Sequence, residues 1–113
     1  MNAHQMPESA KIKKVNEWGF GDETVDVRVQ EREKTWTKDT RIIDVWKTDG
    51  TYLGYIESDP TYQIATHLYA RVARYGKPRT AWFPAPARDG RPLYWNDHPS
   101  QAAAIRSLLN DAR

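Results

Sequence analysis

Arg41–Glu57 reads RIIDVWKTDGTYLGYIE. Two runs rich in β-branched and aromatic residues flank Thr48-Asp49-Gly50. Glycine takes a positive φ at no steric cost, so the pattern predicts a tight hairpin. Gly54 interrupts the second arm. A glycine inside a strand marks a bulge, or another group lying against the backbone.

Upstream, Thr24–Glu33 reads TVDVRVQERE, with Val25, Val27 and Val29 alternating against Asp26, Arg28 and Gln30. Period-two alternation predicts a half-buried strand with one side to a core and one to water. A shorter strand over Ile12–Trp18 precedes it, ended by the glycines of WGFGDE. Downstream, Asp59 suits an N-cap, Pro60 the first helical position and Gly76 the left-handed C-terminal position. Ile64, Ala65, Leu68, Val72 and Tyr75 would share one side of that helix. A second hairpin is predicted with arms Thr80–Phe83 and Pro92–Trp95, joined through PAPARDGR.

A closing helix is predicted over Pro99–Ala112, capped by Asp97, His98 or Ser100. Its apolar stripe is Ala102, Ile105, Leu109 and Ala112, with Leu108 beside it. The expected fold class is therefore α+β, in the order β-β-β-β-α-β-β-α. Hairpins supply most of the pairing, giving an antiparallel sheet with two helices packed on one face. Residues 1–10 are polar without periodicity and read as a flexible tail, and 11–113 as a single domain.

At 113 residues without cysteine, one hydrophobic core must hold the domain, with neither disulfides nor thiolate metal ligands. His4, His67 and His98 show no ligand spacing, so no metal or cofactor is expected. No apolar run approaches the about 20 residues of a membrane span, and the start lacks the apolar centre of a secretory signal. The expectation is a cytoplasmic protein of undefined oligomeric state.

Charge is unevenly distributed. Residues 1–59 hold 9 Lys/Arg against 12 Asp/Glu, and residues 60–113 hold 8 against 3. Pro60 to Arg88 contains no carboxylate at all. Such asymmetry points to an anionic partner. Gln63, His67, Arg71 and Arg74 fall on the polar side of the first predicted helix, and Lys77 and Arg79 extend that side. Arg88 and Arg91 follow in the next loop. Side chains of these types meet backbone phosphates. A solvated helix face, with Arg71 and Arg74 favoured by the helix dipole, explains the same residues more plainly. An ordinary solvated helix, however, mixes signs at i,i+4, and this one does not.

Trp82, Phe83, Tyr94 and Trp95 cluster in the second predicted hairpin. Alternation sends Trp82 and Phe83 to opposite faces, and likewise Tyr94 and Trp95, so at least two rings fill the core. The other two are placed to stack on unpaired bases or to meet a protein partner. Lys11, Lys13 and Lys14 read as charges that protect an edge strand. His67 beside Arg71 and Arg74 has the residue types for acid–base chemistry on a phosphodiester, but no nearby carboxylate orients its imidazole. Asp44, Glu57 and Asp59 gather near one hairpin end without a metal motif. The chain has no P-loop, GxGxxG, HExxH or nucleophile elbow, and no enzyme activity is expected.

WKTDGTYLGYI, followed later by DGRPLYWNDHPSQAAAIRSLL, resembles small uncharacterised accessory proteins of actinobacteria and their phages. Those often carry a DGxxLG turn and end in an alanine- and leucine-rich helix. The resemblance spans about residues 41–110 and implies a cytoplasmic or phage-encoded accessory role. The same end is similar to the sheet-plus-helix of arm-type integrase DNA-binding modules, although here a helix interrupts the predicted strand order. The functional expectation is a non-catalytic nucleic-acid-binding accessory protein. The alternative is a protein–protein interaction module acting through an arginine and aromatic patch on an acidic partner surface.

Overall fold

The computed structural model describes residues 4–33, 35–37, 39–60 and 80–112. Five strands, β1 (Lys11–Asn16), β2 (Thr24–Glu31), β3 (Ile42–Lys47), β4 (Tyr52–Asp59) and β5 (Ala81–Pro86), precede one helix, α1 (Gln101–Asp111). The strands form one antiparallel sheet in chain order. The α+β class and hairpin-built sheet are as expected, but the element order is not. Among the described residues there is one helix, not two. The helix expected after Asp59 falls on residues 61–79, outside the described ones.

The β3–β4 turn matches its sequence. Gly50 N–H donates to Lys47 O at 3.0 Å and Lys47 N–H to Thr51 O at 2.8 Å, with Gly50 at φ +94°. This is the three-residue hairpin whose last residue needs a positive φ. Thr51 N–H donates to the Asp49 carboxylate at 2.9 Å, and that bond holds the Asp49 acid below its ordinary value.

Gly54 is the hinge of the sheet. Val45 faces Gly54 but Trp46 faces Tyr52, so Leu53 is an extra residue in β4, a bulge. A regular strand would put Leu53 and Ile56, three apart, on opposite faces. The bulge brings both into one core, with exposures of 3% and 0%. Tyr52 and Tyr55 are turned together to the other face.

That core is the first face of the sheet, where Val15, Val27, Ile43, Val45, Leu53, Ile56 and Trp82 meet Ala104, Ile105, Leu108 and Leu109 of α1. Val25 and Val29 pack at its margin, as their alternation with Val27 requires. The helix stripe is rotated from expectation: Ala104 is buried, Ala102 only partly, and Ala112 lies past the end of α1, exposed. Ser100 is the N-cap and accepts the Ala103 N–H at 3.1 Å. Polar contacts tie α1 to both sheet edges: Arg106 Nε to Asn16 O at 2.8 Å, Lys13 Nζ to Gln101 at 3.2 Å, and Asn96 to Ser107 at 3.1 Å.

The two sheet edges are treated differently. Among the described strands β1 pairs with β2 alone, and it carries Lys11, Lys13 and Lys14, in keeping with charge as edge protection. On β5, Pro84 and Pro86 have no N–H to leave unpaired at the outer edge. The returning chain seals the rest: Trp82 and His98 exchange two backbone bonds at 2.8 and 2.9 Å, and Leu93 N–H reaches Pro84 O at 2.9 Å. Pro92–Trp95, expected as a strand, is therefore a loop. Proline edges offer too few donors for a ladder, and Asn96 N–H closes a turn onto Leu93 O at 2.9 Å instead.

Residues 4–10, read from the sequence as a tail, lie against the second face of the sheet. His4 stacks on Tyr52 with centroids 4.1 Å apart, and its carbonyl accepts Trp46 Nε1 at 2.6 Å. Ala10 O accepts Arg28 Nε at 2.8 Å. None of the described helices is long and apolar enough to cross a membrane.

Candidate functional site

Of the predicted basic surface, Gln63, His67, Arg71, Arg74, Lys77 and Arg79 lie outside the described residues. Arg88 does not present a free charge. Its guanidinium grips the Asp111 carboxylate through Nε at 2.9 Å and Nη2 at 2.6 Å, with Asp89 at 4.0 Å. The hydrogen bond to Asp111 raises the Arg88 pKa further. The turn after β5 carries Arg88 to the C-terminal end of α1, a meeting of residues 23 apart that local patterning does not reveal. Arg91 is exposed and has no carboxylate partner among the described residues.

The four aromatics separate cleanly. Trp82 is 5% exposed in the core beneath α1, with the Arg41 guanidinium 5.3 Å from its ring. Phe83, 2% exposed, points to the opposite face and meets Tyr94 edge-on at 5.4 Å. The opposite-face prediction for β5 therefore holds, and both of its rings are buried. Neither is available to stack on a base. The exposed pair is Tyr94 at 61% and Trp95 at 77%. With Arg91, Pro92 and Leu93 they line an open concavity of about 340 Å³.

The second sheet face carries a polar network. Arg32 donates to both Asp44 oxygens at 2.8 Å each, and the Tyr52 hydroxyl donates to the same carboxylate at 2.6 Å. Arg32 also lies 4.8 Å over the Tyr55 ring. The Asp44 bonds push Arg32 above its ordinary pKa. Burial, then the bond to Asp44, pushes the Tyr52 phenol up. Asp44 was legible as a polar residue between core positions Ile43 and Val45; its partners, on β4 and beyond β2, were not.

Glu57 lies farther along that face, 4% exposed, and accepts the Tyr94 hydroxyl at 2.9 Å. Loss of water around that hydroxyl, then the bond to Glu57, raises Tyr94 to about 12. Asp44 and Glu57 are thus engaged separately, Asp44 by Arg32 and Tyr52 and Glu57 by Tyr94. Among the described residues no group of three or more His, Asp or Glu is placed to hold a metal. His98 has Nε2 buried without a hydrogen-bond partner among the described residues. Burial, with Arg106 adding to it and Asp97 opposing, depresses its pKa.

Comparison with known families, curated proteins and solved structures finds no match to this chain.

Proposed function

We propose that this chain is a non-catalytic binding module that engages a protein partner through the loop Arg91–Trp95. One observation carries the reading: an arginine, a tyrosine and a tryptophan stand exposed side by side on a proline-braced loop. These are the residue types that dominate interface hot spots. The neighbouring cation, Arg88, is held by Asp111, so among the described residues Arg91 supplies the positive rim of this surface. The complementary partner offers an apolar pocket bordered by carboxylates, and charge chiefly speeds encounter. Immobilised protein should retain such a partner from nuclease-treated lysate. Trp95→Ala and Arg91→Glu should each weaken that capture by about tenfold or more. Equal capture by both variants would remove the proposal.

The charge distribution favours a second reading, nucleic-acid binding by a phage-type accessory protein. It rests on the acid-free run from Pro60 to Arg88. Arg71, Arg74, Lys77 and Arg79 would meet phosphates, with Gln63 and His67 as hydrogen-bonding neighbours. Neutralising about five phosphates gives a log–log salt slope of roughly −4 to −5 in a gel-shift series. A flat slope, or no shift at low salt, excludes it.

A further inference from the structure

Beside loop 91–95, on the second sheet face, lies a concavity of about 240 Å³. Its floor is Glu57, with Asp59 two residues further along the same strand face, and Trp36, Phe83 and Tyr94 supply aromatic walls. The Glu57 residue is 4% exposed, yet among the described residues no Lys, Arg or His pairs with its carboxylate. Among the described residues its hydrogen bond comes from the Tyr94 hydroxyl. A carboxylate withdrawn from water without a counter-charge is costly, and a cation entering the cavity would offset that cost. Aromatic rings attract the same charge over their faces through the ring quadrupole, and three of them line the cavity. Among the described residues the nearby strand arginines are engaged elsewhere, Arg32 by Asp44 and Arg41 by Glu31. The space suits a small head group rather than a drug-sized molecule.

We infer that this cavity is a binding site for an alkylammonium group, held by the Glu57 carboxylate against the Trp36 and Tyr94 rings. The group belongs either to a lysine side chain of a partner or to a free amine; the recognition chemistry is the same. Tyr94 is shared with loop Arg91–Trp95, whereas Glu57 and Trp36 belong to this cavity and Arg91 and Trp95 to the other.

The test is calorimetric titration of the full chain, with tryptophan fluorescence alongside. The probes are Nα-acetyl-lysine methylamide, its uncharged counterpart Nα-acetyl-norleucine methylamide, and putrescine. Saturable binding of a charged probe, with none of the norleucine derivative, is expected. Glu57→Gln should abolish it, and Trp36→Ala should weaken it about fivefold to thirtyfold. Tighter binding of the lysine derivative identifies a protein side chain as the source, and tighter binding of putrescine a free amine. Trp36 is 61% exposed, so Trp36→Ala spares the core and decides the matter if Glu57→Gln fails to fold. Absence of saturable binding by both charged probes overturns the inference. So does equal binding of the norleucine derivative, or unchanged affinity in both variants. The protein-capture test of loop 91–95 reads Trp95→Ala and Arg91→Glu, neither of which lines this cavity, so the two tests fail separately.

Discussion

Gly54→Ala is expected to destabilise the protein by roughly 3 kcal/mol or more, lowering its melting temperature by about 10 °C or more. Two effects add. The residue sits at φ +127°, where a side chain is strained. A Cβ there would drive into the Ala85 carbonyl oxygen and lie 3.0 Å from the Ala87 nitrogen, both backbone atoms of the chain alongside. Relief requires β4 and β5 to separate, or the bulge to straighten. Straightening would throw Leu53 out of the core. Gly50→Ala is the control, because Gly50 also has a positive φ (+94°) but nothing within 4 Å of its Cβ position. It should cost only about 1–2 kcal/mol. Thermal melts followed by circular dichroism check both, and a smaller loss in Gly54→Ala than in Gly50→Ala would refute the bulge argument.

Asp44→Ala is expected to cost about 2–3 kcal/mol, measured by urea unfolding. The Asp44 side chain is 14% exposed and receives three hydrogen bonds, two from Arg32 and one from Tyr52. Removing it strands a guanidinium and a phenol that have lost most of their water. The figure sits below that for a fully buried pair because the Arg32 side chain remains 34% exposed and recovers some hydration. Tyr52→Phe removes one donor and keeps the ring stacked on His4, so it should cost about 1 kcal/mol. The double variant should fall short of the sum of the two by at least about 0.5 kcal/mol, since both act on one carboxylate. Strict additivity would show that Tyr52 and Asp44 do not cooperate.

Sequence alone determined the features whose causes are local. The β3–β4 hairpin follows from Asp49-Gly50 between two strand-forming runs, and β2 from the alternation of Val25, Val27 and Val29. The C-terminal helix follows from its apolar period and from Ser100 at its start. Even Gly54 was legible as a bulge or close approach, because glycine within a strand has few other uses. These signals need only a dihedral preference or a repeat of two or 3.6 residues.

Tertiary structure alone decided the rest. Leu53 and Ile56 share a core because Val45 and Pro86 flank Gly54 from both sides, a fact of three strands rather than one. Pro92–Trp95 has strand-like residues, yet it meets an edge whose prolines cannot extend a ladder. Arg88 lost its free charge to Asp111, and Glu57 became a buried acid beneath Tyr94, 37 residues away. Whether a charge is free or spent depends on which distant group the fold carries to within about 3 Å of it, where the local dielectric multiplies its worth. No residue's type or spacing holds that information.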